Sequence, residues 1–326
     1  MRILTADIGG TNTRMAVVVR EGRRYRIECE RLYPSGACDD FTVIARDFLN
    51  NLSGRPARAC FGIAGPVDGD NARLTNLPWQ LSAATLCTDL GLDAVHLLND
   101  LEALAWSLDI LDENDLVTLL DGSRPAAGNR AVIAAGTGLG EAGLYWDGRA
   151  HHPFATEGGH ADFSPADERG FRLQRFLAAR FGHVSWERVV SGQGLAHLYE
   201  YLLQDSAAEA PAWFAGDDPA ALISQRALED RDSLCAEALR WFVRLYGAEA
   251  GNLALKHMTT GGLYIGGGIA PKILPALQDG GFVEAFLAKG RMRPLLEGMP
   301  VRVICNDAAS MLGLARYGFE MARPST

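Results

Sequence analysis

The chain has 326 residues, which is long enough for two domains and a substantial buried core. Hydrophobic residues make up 48% and charged residues 22%, proportions that are ordinary for a globular protein in water. Because 31 basic residues stand against 40 acidic ones, the net charge is −9, which argues against nucleic acid or an anionic membrane surface as a partner.

The 6 cysteines are scattered along the chain without a Cys-x-x-Cys pair. This distribution argues against a zinc site or a disulfide framework and is typical of a reducing compartment. The first residues lead directly into a strand-like sequence rather than a signal peptide, and no apolar run reaches the length of about 18 residues that a membrane span needs. We therefore predict a cytoplasmic protein.

The N-terminal segment predicts two strands joined by a glycine-rich turn. Residues 3–7 and 15–19 are rich in β-forming residues, and D-I-G-G-T-N occupies positions 7–12. Gly9 and Gly10 leave backbone N–H groups open to an anion, although the same pattern also suits an ordinary hairpin. Asp7 favours a functional interpretation, because an unpaired buried carboxylate is costly. Its oxygens suit Mg²⁺ held through water.

Further along the first half, the apolar spacing predicts a helix at 40–52, a strand at 59–63 and a helix at 81–90. The strand breaks into a Gly-Pro turn. Between the strand and the second helix lies a polar, aromatic loop, Thr75-Asn76-Leu77-Pro78-Trp79. This loop suits contact with a small polar ligand and simple loop packing equally well.

The period of the apolar residues changes from strand to helix at Asn99 and Asp100. Residues 95–98 form a short apolar run, whereas the next apolar residues fall at helical spacing. The two polar residues therefore lie at the carboxyl end of a strand, where open α/β sheets bind their ligands. Asp100 equally suits capping of the helix that follows, so the position alone leaves a structural and a catalytic role open.

The second half repeats the plan of the first. Residues 111–129 turn acidic and then rich in glycine and proline, which indicates a domain boundary. A strand at 131–135, the turn G-T-G-L-G at 136–140 and a strand at 142–146 follow. This repetition indicates a duplicated fold with two phosphate-binding hairpins. Glu141 would repel a polyphosphate there, so we predict that its side chain points away, because strand residues alternate faces.

The remaining segments predict scaffold. Helices are expected at 170–181, 195–203, 233–258, 271–288 and 308–317, strands at 263–265 and 301–304, and an exposed loop at 205–220. Within the long helix, small residues form a stripe that predicts close packing against another helix or sheet: Gly247, Ala250, Gly251 and Ala254.

Several separated motifs occur in one order along the chain. They are D-I-G-G-T-N at 7–12, L-N-D at 98–100, A-G-T-G-L-G at 135–140, E-G-G-H at 157–160, S-G-Q-G-L at 191–195, G-N-L-A-L at 251–255 and G-G-G-I-A-P at 266–271. In this order and spacing the chain resembles the bacterial ATP-dependent glucokinases, within the superfamily that also contains hexokinase and actin. The resemblance covers essentially the whole length.

The resemblance implies a role for each motif. Asp100 would be the catalytic base, and Asn99, Glu157, His160 and Glu187 would hydrogen-bond the sugar hydroxyls. ATP and Mg²⁺ would be the cofactors, with Asp7 contacting the metal through water. The residues that would hold the nucleotide are Ala6, Asp7, Ile8, Gly9, Gly10, Thr11, Gly136, Thr137, Gly138, Gly140, Gly266 and Gly267.

The implied fold class is α/β: a two-domain, duplicated hexokinase/actin-like (ribonuclease H-like) fold with a cleft between the domains. The small domain would comprise residues 1–110 and the C-terminal helix at about 303–326, and the large domain residues 111–302. The resemblance also implies a homodimer. Related repressors and kinases with a structural zinc carry a Cys-x-Cys cluster, whereas A-D-F-S-P follows His160 here, so we predict no zinc.

The implied reaction is phosphorylation of D-glucose at the 6-hydroxyl by ATP, a step of glycolysis that gives glucose 6-phosphate and ADP. One alternative is a kinase for another hexose or amino sugar on the same fold. The other is a sugar-sensing regulator without turnover. Such a regulator would carry an added DNA-binding segment, whereas this chain begins at its first strand and is acidic.

Overall fold

The computed structural model describes residues 1–74, 77–123, 127–230 and 233–321. The strands, in chain order, are β1 Arg2–Ile8, β2 Asn12–Glu21, β3 Arg24–Pro34, β4 Arg58–Ile63, β5 Val67–Asp68, β6 Asn71–Arg73, β7 Gln80–Ser82, β8 Ala94–Asn99, β9 Leu116–Leu120, β10 Arg130–Ala135, β11 Leu139–Trp146, β12 His151–Thr156, β13 Gly262–Gly266 and β14 Val301–Ile304. The helices are α1 Phe41–Asn50, α2 Ala83–Leu90, α3 Asp100–Ser107, α4 Glu168–Phe181, α5 Gly192–Asp205, α6 Pro219–Glu229, α7 Leu234–His257, α8 Leu274–Gln278, α9 Gly281–Leu287, α10 Arg293–Glu297 and α11 Ala309–Met321.

These elements form two compact units. The first unit contains Met1–Glu113 together with the chain from Asn306 onward, and the second contains Asn114–Cys305. Each unit has its own main sheet and its own hydrophobic core. No helix in the described ranges has the length and apolarity needed to span a membrane.

In the first unit the main sheet has the strand order β3-β2-β1-β4-β8. β1 pairs antiparallel with β2 and parallel with β4, and β4 pairs parallel with β8. Side chains alternate between two cores, as the strand period requires: Leu4 and Ala6 pack with α1 and α2, whereas Ile3 packs with α3 and α11. Helices therefore cover both faces of the sheet, which buries its parallel strands.

In the second unit the sheet order is β12-β11-β10-β13-β14-β9. Its core is built from one face of β10 together with α5, α7 and α9. The small-residue stripe of α7 packs as predicted. A Cβ built on Gly247 would lie 2.2 Å from the carbonyl oxygen of Phe282, and one on Gly251 would lie 2.6 Å from that of Phe286. The backbones of α7 and α9 can approach this closely only because these positions lack side chains.

The two sheets share one topology, which confirms the predicted duplication. In each, a hairpin turns back on the first strand (β1–β2 and β10–β11), and that first strand pairs parallel with a later one (β4 and β13). Both hairpins are the glycine turns identified in the sequence. The strand β9 is an addition, since it pairs antiparallel with β14 at the edge of the second sheet.

Three segments differ from the sequence prediction. The helix expected at 271–288 is two short helices, α8 and α9, because Gly280 takes a left-handed conformation with φ 93°. The expected loop at 205–220 ends in α6, whose N-cap Asp218 accepts a hydrogen bond from the amide of Ala221 at 3.0 Å. The acidic boundary segment contains β9.

The loop proposed as a ligand contact divides into two parts. Thr75 and Asn76 lie outside the described residues. Trp79 is a core residue, 3% exposed, with its ring centroid 6.2 Å from that of Phe41. For Trp79 the structure therefore favours the packing interpretation.

Candidate active site

Asn99 and Asp100 lie where β8 ends and α3 begins. Asn99, not Asp100, caps the helix: its Oδ1 accepts hydrogen bonds from the amides of Leu101 at 2.9 Å and Glu102 at 3.3 Å. Of the two roles that the sequence left open at this junction, capping therefore belongs to Asn99. Asp100 is the first residue of the helix, half-buried, with its Oδ1 2.9 Å from the amide of Leu101. Because Asn99 does the capping, Asp100 is not required as the cap.

The register of the sheet aligns this junction with the first glycine turn. Ile8 pairs with Ile63 on β4, and Ile63 pairs with Asn99 on β8, all in parallel strands. With a strand spacing of about 4.8 Å, Asn99 lies about 10 Å from Ile8 at the same edge of the sheet. The turn after β4 joins them, since Ala64 donates its amide to the carbonyl of Ile8 at 3.1 Å and Gly65 accepts from Asn99 Nδ2 at 3.3 Å.

The first glycine turn is held by a residue that the sequence analysis did not identify. The buried Ser35 donates its hydroxyl to the carbonyl of Gly9 at 2.7 Å, and its amide donates to the carbonyl of Thr11 at 2.9 Å. Its hydroxyl also lies 2.9 Å from that of Thr13. Ser35 therefore holds the carbonyl groups of Gly9 and Thr11 in place. Gly10 and Thr11 stay partly or fully exposed, while Ala6 and Ile8 are buried in the strand.

Asp7 is half-buried at the end of β1, directly across the hairpin from Arg14. Burial raises the pKa of the Asp7 carboxyl, and the Arg14 guanidinium opposes that rise. Arg14 is itself engaged elsewhere, because it donates to Glu30 Oε2 at 2.7 and 3.0 Å and to the carbonyl of Asp307 at 2.9 Å. A hard oxygen donor beside a glycine turn fits the water-mediated contact to Mg²⁺ predicted for Asp7.

The second glycine turn is packed by three elements of its own unit. Gly136 accepts a hydrogen bond from the amide of Gly192, at the start of α5, at 2.8 Å. Gly267 has φ 82°, and a Cβ there would lie 2.5 Å from the carbonyl oxygen of Ala135. The buried hydroxyl of Tyr246 accepts from the amide of Ala135 at 3.1 Å and donates to the carbonyl of Ile133 at 3.2 Å. The structure therefore brings Gly136, Gly266 and Gly267 together at the ends of β10 and β13.

The predicted sugar-contacting residues of the second unit lie on two adjoining turns. Glu157 and His160 are exposed at the ends of one tight turn, with Oε2 and Nε2 4.0 Å apart. Glu187 lies on a second turn at Trp186–Arg188. Backbone hydrogen bonds join the segments beside the turns, from Trp186 to Ala161 at 3.0 Å and from Phe163 to Val184 at 2.9 Å. The structure thus groups Glu157, His160 and Glu187.

Glu187 also contacts the second glycine turn. Its Oε2 accepts a hydrogen bond from the amide of Leu139 at 3.0 Å. A Cβ built on Gly138 would lie 2.4 Å from the same oxygen, so only glycine fits beside this carboxylate without a shift. The remaining predicted residues of this turn, Thr137 and Gly140, lie on either side of the contact.

Comparison with known proteins identifies the chain. The family model described as glucokinase matches residues 4–321. The glucokinase of Nostoc sp. strain PCC 7120 is 41% identical, with 96% of this chain and 97% of the relative covered by the match. The chain belongs to the glucokinase family. A second member, from Synechocystis sp. strain PCC 6803, is 38% identical with 97% of each chain covered.

The solved structures agree with this family assignment. The crystal structure of a glucokinase from an Antarctic psychrotroph matches with a TM-score of 0.84 and 32% identity, covering 98% of this chain and 99% of the other. The predicted family, the actin-like α/β fold class and the enzyme class are confirmed. Eight curated relatives with 33–41% identity carry the name glucokinase, so the two alternatives, a kinase for another sugar and a regulator without turnover, are not favoured.

Proposed function

We propose that this glucokinase-family enzyme transfers the γ-phosphoryl group of ATP to the 6-hydroxyl of D-glucose, giving glucose 6-phosphate and ADP. The observation that carries the proposal is the position of Asp100. It begins a helix that Asn99 already caps, at the sheet edge that also carries the first glycine turn. A carboxylate at the carboxyl end of a sheet strand suits general-base chemistry, and family membership supplies the reaction.

Asp100 acts as the general base. Phosphoryl transfer has a loose transition state, so the protein mainly positions the reactants and stabilises charge. The Asp100 carboxylate orients the 6-hydroxyl of the sugar and takes its proton as the oxygen attacks the γ-phosphorus. General-base catalysis of this kind contributes about 10²–10⁴-fold to the rate. Asn99, whose Nδ2 already donates to the carbonyl of Gly65, adds a polar contact to the sugar.

The glycine turns hold the nucleotide. Residues 6–11, which form the end of β1 and the first glycine turn, offer backbone N–H groups to the phosphates. The turn at residues 136–140 offers a second set. The glycines at 266 and 267, which end β13, leave room for the adenosine. Mg²⁺ enters as part of the MgATP substrate and supplies positive charge to the phosphate oxygens, with Asp7 holding its hydration shell.

Glu157, His160 and Glu187 bind the sugar. Glucose presents a ring of neutral hydroxyls, and carboxylates and an imidazole can each accept from or donate to neighbouring ones. A site with such groups discriminates against an analogue that leaves them unpaired. The grouping of these side chains on two adjoining turns supports this assignment.

We further propose that the enzyme is a cytoplasmic homodimer that acts in glycolysis on small-molecule substrates, without nucleic-acid or membrane partners. The six cysteines are all free thiols, which suits a reducing compartment. The net charge of −9 disfavours polyanionic partners. The homodimer follows the family resemblance, and light scattering on the purified protein tests it directly.

The decisive experiment measures sugar-dependent ADP release from MgATP, with the product identified by an enzyme specific for glucose 6-phosphate. Glucose, mannose, fructose, galactose and N-acetylglucosamine are compared by kcat/KM. We expect glucose to exceed every other sugar by at least about tenfold, which corresponds to about 1.4 kcal/mol of discrimination. A higher kcat/KM for another sugar, or glucose binding without ADP release, would overturn the proposal.

A further inference from the structure

Two buried carboxyl groups in the second unit take no part in the chemistry described so far. Glu141 on β11 is 2% exposed, and Glu249 on α7 is completely buried. The two side chains lie within hydrogen-bonding reach of each other. Each nevertheless has one oxygen, Oε1, that is buried and finds no hydrogen-bond donor among the described residues. Two carboxylates cannot bond to each other unless one of them carries a proton.

The groups around the pair offset the cost of burying it only in part. The other oxygen of Glu249 accepts from Asn252 Nδ2 at 2.7 Å. Lys256 Nζ is 3.7 Å from Glu249 Oε1, but its side chain is more than half exposed. Lys289 Nζ is directed to Asn252 Oδ1 at 2.6 Å and to the carbonyl of Ala248 at 2.8 Å.

Tyr246, whose pKa is raised by burial and by the charge of Glu141, does not donate to either acid, because its hydroxyl is bound to the backbone of β10. Burial has the larger effect on the pKa of both carboxyls, although the charges of Lys256 and Lys289 lower that of Glu249 and the charge of Lys256 also lowers that of Glu141. Burial, with the neighbouring charge of Glu249, raises the pKa of Glu141 to about 8. Burial also raises the pKa of Glu249.

Glu141 supports the turn that carries Glu157 and His160. A Cβ built on Gly158 would lie 1.9 Å from Glu141 Oε2, so this carboxyl packs directly against the turn. The backbone of the same residue is tied to the turn as well: Glu141 accepts from Thr156 Oγ1 at 2.9 Å, and Thr156 Oγ1 accepts from the amide of Gly158 at 3.3 Å. A movement of the Glu141 side chain would therefore displace Gly158 directly, and with it the turn.

We propose that Glu141 is a positioning residue: it shares one proton with Glu249, and this neutralised pair holds the Glu157–His160 turn in the geometry that binds the sugar. The inference rests on the proposed assignment of Glu157 and His160 to sugar binding. When the shared proton is lost, two buried anions repel each other, and the displacement of Glu141 moves the turn. Sugar affinity then falls, whereas phosphoryl transfer at saturating sugar changes much less.

The test compares the glucose KM and kcat of the wild type, Glu141→Gln and Glu249→Gln between pH 6 and 9.5. A glutamine amide can donate to the remaining carboxylate without titrating, so it reproduces the singly protonated pair. For one proton with a pKa near 8, we expect the wild-type KM to rise about fivefold between pH 8 and 9, with little change in kcat. Both glutamine variants should abolish this rise.

Matched controls separate the possible outcomes. Glu284→Gln removes an exposed carboxylate paired with Arg244 and should keep the wild-type profile. Glu157→Gln should raise the glucose KM at every pH; if it does not, the sugar-site assignment fails. If Glu157→Gln weakens glucose binding but the wild-type KM stays flat above pH 8, the present inference alone is overturned.

A spectroscopic measurement covers the case in which the glutamine variants do not fold. The infrared carbonyl band of a protonated carboxyl should be present in the wild type at pH 7, fall to half near pH 8 and be almost lost above about pH 9. Absence of that band at pH 7 would refute the shared proton without any variant.

Discussion

The carboxylate of Glu187 accepts a hydrogen bond from the backbone amide of Leu139 at 3.0 Å. This contact joins a residue assigned to the sugar with a turn assigned to the nucleotide. Gly138 is adjacent, and the lack of a side chain there leaves room for the carboxylate. Glu187 therefore connects the sugar site and the nucleotide turn that we propose for the second unit.

The first prediction concerns Glu187. Glu187→Gln keeps an oxygen for the amide of Leu139 but loses a charged acceptor. We therefore expect the glucose KM to rise roughly 10–100-fold, equivalent to about 1.5–3 kcal/mol. The ATP KM should change little. Glu187→Ala also leaves the Leu139 amide unpaired, so both KM values should rise. Steady-state kinetics in both substrates measure this, with Glu200→Gln, a partly exposed carboxylate paired with Arg180, as the control. Equal effects of both Glu187 variants on the ATP KM would contradict it.

The second prediction concerns Asp100. Asp100→Asn has the same shape and can still accept from the amide of Leu101, but its amide is a far weaker base. We expect kcat to fall about 10²–10⁴-fold, while glucose still protects the protein against thermal unfolding. Loss of glucose protection together with activity would show instead that Asp100 mainly binds the sugar.

Local sequence patterns were sufficient to predict the two glycine hairpins and the junction between β8 and α3. Glycines between β-rich runs predicted β1–β2 and β10–β11, and the change of period predicted β8 followed by α3. Two of the errors were also local. Asp218 followed by Pro219 is a helix start, and the glycines at 280 and 281 indicate a helix break, so both were readable from the sequence.

The supporting contacts could not be predicted in this way, because the partners are far apart along the chain. Ser35 is 26 residues from Gly9, and Tyr246 is 111 residues from Ala135. Glu141 on a strand and Glu249 on a helix each look unremarkable in the sequence. Only the packing of α7 on the sheet brings the two acids together and removes their water, which changes their protonation.

The third prediction concerns Ser35, the residue that holds the first glycine turn. Ser35→Ala removes the bonds to Gly9 and Thr13, so we expect a loss of stability of about 1–2 kcal/mol and an ATP KM raised on the order of fivefold. Ser107→Ala is the matched control, since this buried hydroxyl donates to the carbonyl of Leu104 at 2.6 Å. It should reduce stability without changing the ATP KM. Equal ATP KM values for the two variants would argue against a role for Ser35 in the nucleotide site.

The fourth prediction concerns the pH dependence of stability. Glu141 has a pKa of about 8 in the folded chain against its ordinary 4.5, so between these values the folded state holds a proton that the unfolded chain releases. Stability therefore falls as pH rises across this window, by at most about 1.4 kcal/mol per pH unit, and levels off above it. A glutamine at position 141 does not titrate, so this loss of stability is absent from Glu141→Gln. The difference in urea midpoint, variant minus wild type, should therefore increase from pH 5.5 to 8.

The exposed Glu284→Gln serves as the reference for this measurement. Pairing with Arg244 lowers the pKa of Glu284, so this carboxyl titrates below the window and its variant should run parallel to the wild type from pH 5.5 to 8. If the difference between Glu141→Gln and the wild type is also constant across that range, the two buried acids hold no extra proton. The upward shift of the Glu141 pKa would then be refuted by equilibrium unfolding alone, independently of any assay of catalysis.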